Sequence, residues 1–244
     1  MKINLTTQDI AVISICSALY AVFGYLTGSI SFYGVGLLPA VVIPAVFAAL
    51  FGPWVGGISG AIGIFIRDML VHGNAPLSLV AGVPPNFILF FLIGYLYTKN
   101  ISLKQALTCI SLAFIGLFVP SIILLPEMLT WTHVSIDAFL LTFVLTVIVS
   151  LVVIAVVSIR WKEWRSYAIG AVVGQITGSL LLSVTVWVVS PLFLSTLAID
   201  APIDAIYVLP IFVWTIATEI PFILLVGPPI IKIAHSPSNA TIQK

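Results

Sequence analysis

Five polar side chains stand inside long apolar stretches of the sequence: Arg67, Asp68, Asn86, Gln175 and Glu219. A charge within a membrane-spanning helix costs at least ~2.5–3.5 kcal/mol, so it needs a partner, a wet cavity or a function. The chemistry this set supports is recognition. A guanidinium, two carboxylates and two amides can hold a small polar solute by charge and hydrogen bond. Bond-breaking chemistry has no comparable set. There is no His-Glu-x-x-His zinc helix, no Gly-x-Ser-x-Gly elbow and no Gly-x-x-x-x-Gly-Lys phosphate loop. The chain is therefore expected not to be an enzyme and not to hydrolyse ATP itself.

Arg67 lies thirteen residues after Trp54, roughly 20 Å along a helix. It continues the face of Gly56, Gly60 and Gly63, so it should point into the bundle. It reads either as a binding group or as a snorkelling cation paired with a nearby acid. Asp68 adjoins it, and His72 and Asn74 follow at the outer end. Glu219 sits about 18 Å into the last apolar stretch, with Thr215 one turn before it and Pro221 close behind. Such a carboxylate is paired, protonated or facing a wet cavity.

Asn86 follows Pro84-Pro85, a pair that must break or kink its helix. Irregular backbone at membrane depth is tolerated where it lines a cavity. Gln175 lies beside a glycine row. Either amide reads equally well as an interhelical hydrogen bond. Trp131, Trp187 and Trp214 fall toward the outer half, as belt anchors or as stacking partners for a flat ring. The candidate substrate-binding set is therefore Arg67, Asp68, Asn74, Asn86, Trp131, Gln175, Trp187 and Glu219. His72 and His133 have no second ligand at metal spacing. Cys16 and Cys109 lie in apolar runs, so neither a metal nor a disulfide is expected.

The elements that must carry these residues follow from composition. Of 244 residues, 61% are hydrophobic and 7% charged, against about 25% charged in a soluble domain. That excludes a soluble enzyme and a disordered chain. The net charge of +1 excludes a nucleic-acid binder. Eight stretches approach the ~20 apolar residues a span needs: 10–28, 37–51, 54–71, 77–97, 103–125, 138–159, 167–190 and 207–231. The expectation is one all-α integral membrane domain with a polar, disordered tail over 233–244.

Charge sets the orientation. With the N-terminus inside, Lys2, Lys99, Lys104, Arg160, Lys162, Arg165, Lys232 and Lys244 all fall on the inner side. Glu127, Asp137, Asp200 and Asp204 fall outside. This positive-inside pattern fits an even number of spans with both termini cytoplasmic.

Close helix contacts in lipid need small side chains. Gly56, Gly60 and Gly63 form one row, and Gly170, Gly174 and Gly178 another. Both read as packing within the chain. In the first span Ser14, Ala18 and Ala21 share a face, overlapped by Ser17, Ala21, Gly24 and Gly28. That long small face serves either internal packing or a partner subunit.

Certain of these residues are similar to a known family. Leu50-Phe51-Gly52-Pro53-Trp54-Val55-Gly56-Gly57 with Gly60-Ala61-Ile62-Gly63, and Ala81-Gly82-Val83-Pro84-Pro85-Asn86-Phe87 with Gly94-Tyr95-Leu96, resemble the substrate-binding S-components of energy-coupling factor (ECF) transporters. The resemblance is clear over 8–98. It is weaker around Leu209-Pro210 and Glu219-Ile220-Pro221.

The resemblance implies a six-helix core, here with an extra pair between Leu103 and Ile159. It also implies a multi-pass protein of the cell membrane that binds a vitamin or related micronutrient from outside. A small row on the first helix, here Ser14, Ala18 and Ala21, would dock on a transmembrane coupling subunit. Two partner ATPases would use the ATP, and the chain itself would carry no cofactor. The His-rich start of the metal-ion relatives is absent, which points to an organic substrate. A self-sufficient proton-coupled carrier using Glu219 is the alternative. An intramembrane enzyme or a scaffold is a more distant one.

Overall fold

The computed structural model describes residues 5–28, 31–32, 35–130 and 136–235. A reciprocal cap opens the first helix, α1 (Thr7–Thr27). The Thr6 hydroxyl accepts from the Asp9 amide, and the Asp9 carboxylate accepts from the Thr6 amide. A two-residue antiparallel pairing of β1 (Ser31–Phe32) with β2 (Val35–Gly36) follows. A 3-10 turn at Pro39–Val41 then leads into α2 (Val42–Phe51). Gly52, at φ 95, stops that helix in a backbone conformation that favours glycine. Pro53 starts α3 (Pro53–Val71) at a position where its missing N–H costs nothing.

The prolines after α3 shape the next segment. A short α4 (Ala75–Leu77) runs through a π-helical turn, Ser78–Gly82, into α5 (Val83–Tyr97). Pro84 and Pro85 have no N–H to return to the preceding turn. The wider turn bridges the gap, with the Val83 amide reaching back to the Ser78 carbonyl. The sequence led us to expect a break or kink here, and the chain stays helical through one widened turn.

The second half holds α6 (Leu103–Thr130), α7 (Ile136–Arg160), α8 (Arg165–Val189), the short α9 (Leu194–Leu197) and α10 (Val208–Ala234). Pro221 inside α10 leaves the Ala217 carbonyl without its usual donor. The Ser150 hydroxyl of α7 donates to it at 2.8 Å.

Packing runs α1 on α3, α3 on α5, α5 on α8 and α8 on α10, with α2 seated among α3, α5 and α10. The α6–α7 pair leans on α8 and α10. Glycines make the closest crossings. A Cβ on Gly174 would lie 2.6 Å from the Leu89 carbonyl oxygen, and one on Gly178 would lie 2.9 Å from that of Pro85. Gly63 stands equally close to α1, 3.0 Å from the Ser17 carbonyl oxygen. Backbones can approach this way only where side chains are absent, which is how membrane helices gain contact without a hydrophobic drive.

Among the described residues five helical segments are long and apolar enough to cross a membrane. Large side chains such as Leu26 and Leu192 are exposed, as lipid-facing residues are. The molecule is an all-α membrane-type bundle. Its main core gathers Tyr20, Phe90, Ile154, Tyr167 and Ile216. A second cluster gathers Leu77, Ala81, Val186, Leu197 and Ile203.

Candidate substrate-binding site

A cavity of about 100 Å³ lies between these two clusters, with Leu38, Ile64 and Leu89 from the first and Leu77, Ala81, Val186 and Leu197 from the second. Arg67, Asp68, Asn86, Gln175 and Glu219 all line it. The five residues singled out for their depth therefore converge on one space. The β2 residues Val35 and Gly36 close one side. The Trp214 indole tethers that strand by donating to the Val35 carbonyl at 3.1 Å.

One wall is an ion pair. Arg67 Nη1 donates to Asp68 Oδ1 at 3.1 Å, and the Ser78 hydroxyl donates to Asp68 Oδ2 at 2.7 Å. The Arg67 stem lies over α1, where a Cβ on Gly24 would come within 3.3 Å of its Cγ. Gly28 gives room to the guanidinium itself, with Nη2 only 2.5 Å from where a Cβ would stand. Arg67 is buried, and its Nε has no hydrogen-bond partner. His72 stands 3.9 Å from Asp68 Oδ1. Its Nδ1 accepts from the Asn74 amide at 3.1 Å, which leaves the proton of the neutral ring on Nε2. Burial holds the His72 pKa below the ordinary histidine value; the Asp68 carboxylate opposes that shift and Arg67 adds to it.

The facing wall is an amide and a carboxylate. Gln175 Nε2 donates to Glu219 Oε2 at 2.6 Å and lies 3.3 Å from Ser179 Oγ and 3.4 Å from the Thr215 carbonyl. Gln175 and Ser179 are one turn apart on α8, as Thr215 and Glu219 are on α10. Two i, i+4 pairs therefore meet face to face. The Gln175 Oε1 is buried without a partner. Asn86 also lines the cavity. Its Oδ1 accepts from the Tyr20 hydroxyl at 2.8 Å, and its Nδ2 donates to the Gly82 carbonyl at 2.9 Å.

Three candidates lie elsewhere. Asn74 does not line the cavity. It caps α4, accepting from the Leu77 amide at 3.0 Å, and ties that corner to α9 by donating to Thr196 Oγ1 at 2.9 Å. Trp187 is 37% exposed on α8 and also off the cavity. Trp131 lies outside the described residues, as does the tail from residue 236. Among the described residues no Phe, Tyr or Trp lines the cavity, and apart from the His72 imidazole a bound ring would rest on aliphatic side chains.

On α1, Ser14 and Ala18 are exposed. Ala21 is corrected from partner-facing to internal: at 1% exposure it is turned inward with Ser17 and Gly24. Tyr20, Ser78 and Ser179 were not anticipated. Ser179, one turn from Gln175, was accessible from spacing alone. Ser78 and Tyr20 reach their partners only through tertiary contact.

Comparison with known proteins gives two kinds of likeness. The chain is 33% identical over 122 residues to a UPF0397 protein of Aliivibrio fischeri strain MJ11, covering 46% of this chain and 65% of that one. It is 35% identical over 80 residues to a UPF0397 protein of Vibrio atlanticus, covering 32% and 44% respectively. The chain thus spans less than two thirds of the length of these relatives. No solved structure matches it at a significant level. The family model for the substrate-specific component of the ECF transporter matches residues 8–141, which carry Arg67, Asp68 and Asn86 but not Gln175 or Glu219. That match covers more than half of the residues, and the chain belongs to the family of ECF transporter substrate-specific components.

Proposed function

We propose that the chain captures a small organic nutrient, a vitamin or a precursor of one, from outside the cell membrane. It then delivers that nutrient by docking on a transmembrane coupling subunit driven by two partner ATPases. Family membership makes the chain a substrate-specific membrane subunit of a transporter. The observation that carries the finer reading is the polar cavity. An Arg–Asp pair and a Gln–Glu pair face each other inside an apolar bundle, where polar groups persist only for a partner, a wet space or a ligand. Lys99, Lys104, Arg160, Lys162 and Arg165 sit at the other helix ends. By the positive-inside rule the cavity then opens on the outer half.

Docking falls to α1, where Ser14 and Ala18 leave a shallow, exposed strip. The test is uptake of labelled nutrients by proteoliposomes carrying the chain with and without an ECF coupling module. Uptake should require both the module and ATP. Glu219 has no cation within ion-pairing distance among the described residues, and this favours one rival, a proton-coupled carrier. Uptake without the module, driven by a pH gradient alone, would establish that rival.

A further inference from the structure

Resting on the reading of this cavity as a ligand site, we infer that its ligand is a small organic cation. It carries one ring with adjacent N–H donors, of the amidine, guanidine or amino-heterocycle type, set against Glu219 and Gln175. Charge is the first ground. Arg67 is already neutralised by Asp68, which Ser78 also holds. His72 faces the same pair through a ring whose Nδ1 is engaged as an acceptor. Glu219 is then the one cavity-lining acid, among the described residues, with no cation within ion-pairing distance. The sequence alone left room for an anionic ligand on Arg67. In the folded chain such a ligand would meet an Arg67 that already pairs with Asp68 and would share the cavity with Glu219.

Hydrogen bonding is the second ground. Gln175 Nε2 faces three oxygens, on Glu219, Ser179 and Thr215, so the amide oxygen must point the other way. That oxygen is buried and unpaired, and Gln175 is 1% exposed. An orphaned buried acceptor is costly until something donates to it. Among the described residues only Gln175 donates to the Glu219 carboxylate, which leaves its other oxygen open to a ligand. The unpaired Gln175 oxygen and the second Glu219 oxygen supply two acceptors, which match a ligand with more than one N–H donor.

Size is the third ground. The cavity of about 100 Å³ compares with about 150 Å³ for an engineered apolar cavity that takes benzene. A compact ligand built on one ring suits a space of that order. Leu89, Leu182 and Val186 supply aliphatic surface for its faces.

The test uses the purified full-length protein in mild detergent and three near-isosteric probes: benzamidine, benzamide and benzoate. Affinities are read by calorimetry on the wild type and on Glu219→Gln. Benzamidine should bind at least about tenfold more tightly than benzamide, as expected for a charge-assisted pair. Benzoate should not bind, and Glu219→Gln should erase the preference. Tighter binding of benzamide or benzoate overturns the cationic assignment and leaves nutrient capture standing. Binding of none of the three, together with no response to a nutrient panel, overturns both. If Glu219→Gln does not fold, the order of the three probes on the wild type still decides.

Discussion

Tyr20 is almost fully buried, and its hydroxyl reaches from α1 to Asn86 on α5 while its ring meets Phe90 edge-on. The bond fixes which way the Asn86 amide points. Tyr20→Phe keeps the ring and removes the donor. It should lower stability by about 1–3 kcal/mol, because Asn86 Oδ1 loses its partner, and it should weaken ligand binding. Thermal melts and calorimetry on the same preparation check both effects. His72 gives a second handle. Burial depresses its pKa in the folded state, so the unfolded chain takes up the proton first as pH falls. The stability His72 contributes is complete above about pH 6.5 and is lost as pH drops below that value. Melting temperatures taken from about pH 7 to about pH 5 should therefore fall less steeply in His72→Gln than in the wild type. Arg67 and Glu219 were legible because a charge in an apolar run announces itself. Asn74 was misplaced because an amide that caps a helix and one that faces a cavity look alike in a sequence.

Helix crossings respond to single methyl groups. Gly174→Ala would drive a Cβ to 2.6 Å from the Leu89 carbonyl oxygen, at a cost of about 1–3 kcal/mol. Among the described residues Gly116→Ala meets nothing within 4 Å, and it should cost nothing, or gain up to about 1 kcal/mol from helix propensity. Opposite shifts in melting temperature are the expected result. The two small residues on α1 divide in the same way. Ala21 is buried against the chain itself, whereas Ala18 is exposed. Ala21→Leu should destabilise the bundle. Ala18→Leu should leave folding and ligand binding unchanged and abolish uptake in the reconstituted transporter. Normal uptake by Ala18→Leu would remove α1 as the docking face. Spacing alone marked these positions as small, but it did not show which half of the stripe turns inward. The π turn at Ser78–Gly82 was visible only as a proline-driven interruption.

The bundle places its polar residues between two apolar clusters, and it draws them from both halves of the chain. Arg67, Asp68 and Asn86 come from the segment that matches the family, and Gln175 and Glu219 from beyond it. Composition was enough for the all-α membrane class. The cavity itself was not legible, because it depends on α8 and α10 meeting through two side-chain pairs separated by some forty residues. The central claim is that this cavity holds a small nutrient. Mass spectrometry of whatever denaturation releases from protein purified without added ligand tests it most directly, with Ser179→Phe, which fills the cavity, as comparison. The account predicts a stoichiometric small molecule from the wild type and none from a folded Ser179→Phe. An empty wild type that no nutrient stabilises, or equal release from both proteins, would contradict it.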